Sequence, residues 1–210
     1  MTTAIIGMGN IGSRLAADLA KGGEQLLIAS RDPADARRVA EGLGDGVTAV
    51  SVDEAVDRAD VLVLTVWFDV IKQLLDAWGA RLNGKIVVDP SNPIAPAADG
   101  SFTKTIPQDQ SSGGVLAAQL PDGARLVKAF GTFMAETLGA AAHRNPRAVA
   151  FYAADDRAAG DTVAGLIRTA GFDPVSVGGI DQSIRIEVFG DLHEGSLGTT
   201  LTAEEATARV

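Results

Sequence analysis

Six residues near the amino terminus have the types and spacing of a phosphate-binding turn. Gly7-Met8-Gly9-Asn10-Ile11-Gly12 matches G-x-G-x-x-G, with a short apolar run before it and a helical pattern after it. In that context the first glycine permits a tight turn, the second lets the backbone approach a pyrophosphate, and the third lets helix and strand pack closely. The spacing therefore predicts that all six residues bind a dinucleotide, in preference to a plain glycine turn of an α/β protein.

The end of the second predicted strand indicates which nicotinamide nucleotide is bound. Proteins that bind NAD usually carry Asp or Glu there, whereas this chain has Ser30 and Arg31. A guanidinium can bind a 2′-phosphate in a bidentate manner, and a hydroxyl can donate to it. Asp32 would oppose such a phosphate, unless it caps the next helix. We therefore expect NADP(H), with Arg31 as an ordinary exposed arginine as the alternative.

Further candidate cofactor residues follow the ends of later strands. Ligands of open α/β sheets bind at the carboxyl ends of the strands, so residues at those ends are expected to line the cleft. These residues are Thr65, Val66 and Trp67 after the fourth predicted strand, Ser91, Asn92 and Pro93 after the fifth, and Ala129 in the sixth. Trp67 could equally belong to the core.

Two side chains are candidates for a catalytic role. Lys128 is expected near the end of the sixth strand, facing the cleft, where it could bind a phosphate, orient a carbonyl or cap the strand. His193 lies in a polar loop or helix start, and could donate a proton, contact a second copy or face solvent. Hydride transfer between two stacked rings needs positioning rather than a protein nucleophile, which fits the scarcity of other candidates.

Composition excludes several classes of protein. The chain has 210 residues, a net charge of −9, two histidines and no cysteine, so disulfides and thiolate metal sites are excluded and no metal is predicted. The acidic balance argues against a nucleic-acid partner. No apolar run approaches the roughly 20 residues that cross a bilayer, and no secretory leader is recognisable. We therefore predict a cytoplasmic protein without a membrane or nucleic-acid partner.

The order of apolar runs and helical patterns indicates how these residues are positioned. Strand-like and helix-like segments alternate with short connections, which predicts an α/β, Rossmann-type, doubly wound and mostly parallel sheet. We predict an NADP-binding Rossmann domain over residues 1–145, and a smaller α/β extension over 146–210 that closes the cleft and forms a homodimer. Residues 90–110 contain four prolines and are predicted to be a long loop.

Taken in order, these motifs resemble the coenzyme F420:NADP oxidoreductase family and its bacterial relatives. The residues that carry the resemblance are the glycine turn with Asn10, Ser30-Arg31, Thr65-Val66, Asp89 to Pro93, and Leu126 to Phe130. The resemblance implies a dimeric Rossmann protein with a small carboxyl-terminal part. It also implies that NADP occupies the Rossmann site and that the deazaflavin F420, as co-substrate, stacks on the nicotinamide and exchanges hydride with it.

The chain departs from this pattern in the part that would contact the second substrate. Many relatives have Asn where this chain has Gly131, and residues 184–198 do not resemble the archaeal enzymes. The alternatives are therefore an NADPH-dependent reductase of another small electrophile (an imine, carbonyl, flavin or ferric chelate) or a non-catalytic NADP-binding redox sensor. F420 is polyanionic and would need a basic rim. The candidates for that rim are Arg125, Lys128, Arg144, Arg147 and Arg185.

Overall fold

Strands and helices alternate along the chain in the computed structural model, which describes residues 1–97 and 99–210. The strands are β1 (Thr3–Ile6), β2 (Leu26–Ala29), β3 (Val47–Ala49), β4 (Val61–Leu64), β5 (Ile86–Asp89), β6 (Ile94–Pro96), β7 (Phe102–Lys104), β8 (Arg125–Ala129), β9 (Val149–Ala154) and β10 (Asp173–Ser176). The α-helices are α1 (Asn10–Lys21), α2 (Pro33–Leu43), α3 (Val52–Arg58), α4 (Phe68–Trp78), α5 (Ser112–Gln119), α6 (Ala135–Ala141), α7 (Arg157–Thr169), α8 (Glu194–Leu197) and α9 (Ala203–Thr207). Short 3-10 helices cover Gly79–Leu82 and Ile180–Ile186.

Eight of the described strands form one sheet in the order β10-β9-β8-β5-β4-β1-β2-β3. The six strands from β3 to β8 in this order run parallel, β9 is antiparallel to β8, and β10 is parallel to β9. The predicted α/β, Rossmann-type, mostly parallel sheet is therefore confirmed. The register pairs Ile6 with Leu64 and Asp89 with Lys128, so the carboxyl ends of these parallel strands share one edge. We call this the carboxyl edge.

The parallel strands are short apolar runs because both faces of the sheet are covered by helices. Every residue of β1, β2, β4 and β5 is buried, as expected for strands without a solvent-facing side. Helix α1 packs on one face through Leu15, Ala16 and Leu19, whose spacing places them on one side of the helix. The opposite face is covered by α4, through residues such as Ile71 and Leu75.

The region after β5 differs from the predicted loop. Within residues 90–110, β6 and β7 form an antiparallel two-stranded sheet apart from the main one, so the loop prediction is wrong for these strands. Ala98 lies outside the described residues. The sequence also did not predict α6 or the 3-10 helix Ile180–Ile186. Because β9 and β10 continue the main sheet, the predicted extension over 146–210 shares that sheet with residues 1–145, and a domain boundary there stays a prediction.

Within the described ranges, none of the helices has both the length and the apolar composition needed to cross a membrane.

Candidate functional site

Two glycines of the turn between β1 and α1 are required by close packing. Gly7 has φ +107°, and a Cβ on it would lie 2.6 Å from Val66 Cγ1. A Cβ on Gly12 would lie 1.8 Å from the carbonyl oxygen of Gly7 and 2.5 Å from Thr65 Oγ1. Thr65 also donates from Oγ1 to that carbonyl at 2.6 Å. Thr65 and Val66, predicted to contact the cofactor, therefore support the turn from β4.

The middle glycine of the turn faces open space. Gly9 is the N-cap of α1 and is exposed, and no heavy atom lies within 4 Å of the position of a Cβ on it. The first turn of α1 contains no acidic residue, and Asn10 is exposed beside it. Free N–H groups at the start of a helix and the positive end of its dipole favour an anion. These residues therefore fit a pyrophosphate group.

The second strand ends next to this turn. The amide of Gly7 donates to the carbonyl of Ala29 at 2.8 Å, which brings Ser30 and Arg31 beside the glycine turn. Arg31 is exposed and forms no salt bridge within residues 1–97 and 99–210. Asp32 caps α2, since its Oδ1 accepts from the Ala34 amide at 2.9 Å. The interpretation of Asp32 as a cap is therefore confirmed, and Arg31 is available to bind an anion.

The remaining predicted cofactor residues differ in exposure. Trp67, at the start of α4, is 61% exposed, so the alternative that it belongs to the core is wrong. Four others are buried: Met8, Ser91, Pro93 and Ala129. Contact of these four side chains with a cofactor stays a prediction.

Asn92 joins three segments at the carboxyl edge. Its Nδ2 donates to the carbonyl of Gly131 at 3.1 Å, and its Oδ1 accepts from the Val188 amide at 2.7 Å. Asn92 therefore ties the end of β5 to the residues after β8 and to the carboxyl-terminal segment. Gly131 fits tightly here, because a Cβ on it would lie 2.9 Å from the carbonyl of Pro90. An Asn side chain at this position would require the backbone to move.

Lys128 lies inside the molecule rather than at the cleft. Its side chain is 0% exposed, and Nζ donates to Asp89 Oδ2 at 2.8 Å, to Ser112 Oγ at 2.7 Å and to the carbonyl of Ser91. The expectation that it faces the cleft is therefore wrong, because these buried acceptors fully occupy the ammonium group. Nothing in this geometry gives Lys128 access to a substrate.

Glu187, which no sequence motif indicates, completes this buried network. Its carboxylate lies 3.9 Å from Lys128 Nζ and accepts from the backbone amides of Ser112 and Gly113 at 3.0 and 3.2 Å. These amides begin α5, so the positive end of that helix stabilises the carboxylate. Ser112 Oγ contacts Asp89 and Glu187 at 2.9 Å each. The available signal in the sequence is that Glu187 stands between the apolar residues Ile186 and Val188.

His193 is also buried, at 2% exposure, so the alternative that it faces solvent is wrong. It is the N-cap of α8, and its Nδ1 accepts from the Gly195 amide at 3.0 Å, so Nδ1 carries no proton. Burial lowers the pKa of the imidazole, with Glu194 opposing the shift and Lys128 reinforcing it. His193 is therefore neutral near pH 7, and a role as proton donor stays a prediction.

Three of the five residues proposed as a basic rim are held elsewhere by pairing or burial. Arg125 lies at the amino end of β8, away from the carboxyl edge, and pairs with Asp156 at 3.2 Å. Lys128 is buried, and Arg185 pairs with Asp191 at 2.9 Å. Arg125, Lys128 and Arg185 therefore do not form a cluster beside the glycine turn, and a rim that includes Arg144 and Arg147 stays a prediction. Among the described residues, no group of three or more His, Asp or Glu side chains could hold a metal ion.

The fold and the glycine turn place the chain in the class of Rossmann-type oxidoreductases that bind nicotinamide nucleotides. A family model described as NADP oxidoreductase, coenzyme F420-dependent, matches residues 2–93. A hypothetical protein from Sinorhizobium meliloti is 32% identical, with a TM-score of 0.82, and the match covers 96% of this chain and 95% of that one. A protein from Arthrobacter sp. FB24, provisionally described as an F420-dependent NADP reductase, is 25% identical with a TM-score of 0.78. That match covers 95% of this chain and 96% of the Arthrobacter protein.

Over residues 2–93, the chain therefore belongs to the family described as NADP oxidoreductase, coenzyme F420-dependent. More distant structures share the fold alone. One is a reductive aminase from Aspergillus terreus in complex with NADPH and ethyl levulinate, which is 18% identical with a TM-score of 0.64. That match covers 94% of this chain and 58% of the aminase.

Proposed function

We propose that this chain transfers hydride between NADP(H) and a deazaflavin of the F420 type. The observation that carries the proposal is the open glycine turn with the exposed Arg31 beside it. The donor set fits NADP, because helix N–H groups suit the pyrophosphate and a guanidinium suits the 2′-phosphate. When bound, the nicotinamide ring supplies or accepts the hydride. The family description supports F420 as the second substrate.

The chain's own residues bind and orient in this proposal. Gly9 and the first amides of α1 hold the pyrophosphate, and Ser30 and Arg31 hold the 2′-phosphate. Asn92 fixes the strand ends where the two rings would meet, through its bonds to Gly131 and Val188. We propose that Lys128 acts as a positioning residue, because its ammonium holds the Ser91 carbonyl and Ser112 rather than a substrate.

The experiment for the second substrate mixes the purified protein with NADPH and oxidised F420 and follows the loss of deazaflavin absorbance. We expect turnover that depends on both NADPH and the protein. Absence of turnover, with NADPH still bound in a titration, would exclude the F420 activity. In that case, consumption of NADPH with an imine, carbonyl, flavin or ferric chelate as acceptor would indicate another reductase, and no consumption with any of them would favour a redox sensor.

The choice of nucleotide is tested by Arg31→Ala. Charge-assisted hydrogen bonds contribute about 1.5–3 kcal/mol, so the Kd for NADPH should rise about 10- to 100-fold, while the Kd for NADH changes little. Arg157→Ala is the matched control, because Arg157 is an exposed arginine at the start of α7. An equal loss for both nucleotides would refute the assignment of Arg31 to the 2′-phosphate.

A reductase of a less anionic electrophile is the second candidate. The observation that favours it is that Arg125, Lys128 and Arg185 of the predicted basic rim are paired or buried elsewhere. F420 carries several negative charges, and a polyanion needs cations near it. Imines, carbonyls, flavins and ferric chelates are assayed by consumption of NADPH. Faster turnover of one of these than of F420 would support this candidate.

A homodimer and a cytoplasmic location belong to the same proposal. Analytical ultracentrifugation with and without NADPH measures the mass in solution, and a species of twice the mass of one chain is expected. A mass equal to that of one chain under both conditions would contradict the dimer.

A further inference from the structure

Phe189 has a backbone conformation that is unusual for its residue type. It has φ +75°, although it is not glycine, and its side chain is 58% exposed. The amide of Gly190 donates to the carbonyl of Glu187 at 2.8 Å, so Phe189 is the third residue of a four-residue turn. A positive φ at this position ordinarily calls for glycine or asparagine. Strain of this kind costs of order 1–3 kcal/mol and concentrates at functional sites.

The turn that carries Phe189 is held on both sides. Before it, Glu187 is anchored in the buried network, and the Val188 amide donates to Asn92 Oδ1 at 2.7 Å. After it, a Cβ on Gly190 would lie 2.3 Å from the carbonyl of Arg185, so the chain is folded tightly on itself. Leu192 is then buried. The exposed ring is therefore presented by a rigid turn and is not part of a loose loop.

The turn lies at the edge of the sheet where ligands of this fold bind. Asn92 follows β5 and also bonds to Gly131 after β8, so Phe189 stands beside the carboxyl ends of these two neighbouring strands. Two other large apolar side chains are exposed after strands that end at this edge, namely Trp67 after β4 and Met134 after β8. Burial of such side chains by a ligand is favourable.

From this placement we propose that Phe189 contacts the second substrate, and that its ring stacks on a planar, conjugated acceptor. The inference rests on the proposed hydride transfer and narrows it to acceptors with a flat ring system, such as deazaflavins and flavins. A small aliphatic imine or carbonyl offers no face for such a stack. Contact with a second copy of the chain is the competing use of an exposed aromatic side chain.

The test compares Phe189→Leu and Phe189→Gly with wild type. Leucine keeps the apolar volume but loses the flat ring, and glycine also removes the strain of a positive φ. Stacking on one aromatic side chain contributes about 1–3 kcal/mol in nucleic-acid complexes, so acceptor affinity should fall about 5- to 100-fold in the glycine variant, and less in the leucine variant. The Kd for NADPH should change less than about twofold. Phe102→Leu, on another exposed phenylalanine in β7, is the matched control.

Two readouts separate this inference from the proposed function. Acceptor binding is measured with oxidised F420 and with FMN, by quenching of ring fluorescence in the presence of NADP⁺, and turnover is measured separately. If wild type binds F420 or FMN without turnover, the proposed hydride transfer is contradicted. The Phe189 contact is still supported in that case if the Phe189 variants bind the same ligand more weakly. Unchanged ring affinity in both variants, or no binding of either ring by wild type, would overturn the inference.

Stability and mass give two further outcomes. We expect Phe189→Gly to unfold at an equal or higher temperature than wild type, because glycine adopts a positive φ without strain. A more stable variant with weaker acceptor binding would support a strained, functional ring. If the Phe189 variants have a lower mass than wild type in ultracentrifugation and bind F420 and FMN with unchanged affinity, Phe189 belongs to a subunit contact. That result would overturn the proposal.

Discussion

Asp18 makes the stability of the protein depend on pH. It lies on α1 among buried apolar residues and is 8% exposed, and its Oδ2 has no hydrogen-bond partner among the described residues. Burial raises the pKa of this carboxyl from 3.8 to about 7, and the charge of Lys21 opposes the shift. The folded protein therefore holds a proton on Asp18 at pH values where the unfolded chain has released it.

The sign of the effect follows from this raised pKa. Since the folded state binds the proton more tightly, the contribution of Asp18 to stability is fully present below about pH 4 and declines as the pH rises towards 7. A difference of one between the two pKa values corresponds to about 1.4 kcal/mol, so the ionised carboxyl destabilises the folded protein by up to about 4 kcal/mol. Asp18→Asn removes the charge at similar volume. The difference in free energy of unfolding between this variant and wild type should therefore shift in favour of the variant by roughly 2–3 kcal/mol from about pH 5 to pH 8.

Urea unfolding of wild type and Asp18→Asn at about pH 5 and pH 8 measures this difference. Asp45→Asn is the matched control, because Asp45 is exposed and forms no hydrogen bond or salt bridge through its side chain within residues 1–97 and 99–210. The control should show the pH dependence of wild type. If Asp18→Asn also shows the wild-type dependence, Asp18 is ionised without penalty in the folded protein and the reasoning from its burial is refuted.

Three other predictions concern the site. Gly12→Ala places a Cβ 1.8 Å from a carbonyl of the glycine turn, so NADPH binding in a calorimetric titration should weaken at least about tenfold with the circular dichroism of the fold retained. Lys128→Met leaves Asp89 and Glu187 buried without their cation, and should lower the free energy of unfolding in urea by about 3–5 kcal/mol. His193→Asn keeps an N-cap acceptor, so its kcat should be unchanged if His193 only caps α8, whereas loss of kcat with altered pH dependence would show proton transfer.

Local patterns were sufficient to predict the main sheet and the cofactor turn. The apolar runs of β1, β2, β4 and β5 are continuous because these strands are buried on both faces, and this property is visible in the sequence itself. The glycine spacing was equally local, and the structure places Gly12 against the carbonyl of Gly7 as that spacing requires.

The buried network could not be predicted in the same way. Lys128 is expected at the cleft because it lies near the carboxyl end of a strand, where ligands of open α/β sheets bind. Its burial depends on Asp89 and Glu187, which are 39 and 59 positions away in the sequence. No periodicity links such distant residues. The positive φ of Phe189 lies next to long-range contacts of Glu187 with Ser112 and of Val188 with Asn92, and such contacts have no local sequence signal.

The family match and the proposed acceptor contact lie in different parts of the chain. The matched residues 2–93 contain the glycine turn, Arg31 and Asn92, which are the elements proposed to bind NADP and to fix the strand ends. Glu187 and Phe189 lie well beyond residue 93, in a segment that Asn92 and the buried network anchor at the carboxyl edge. Nucleotide binding and acceptor choice should therefore respond to different substitutions. Arg31 variants test the first and Phe189 variants the second, and if the proposed contact is correct, residues that select the acceptor are expected in the carboxyl-terminal segment.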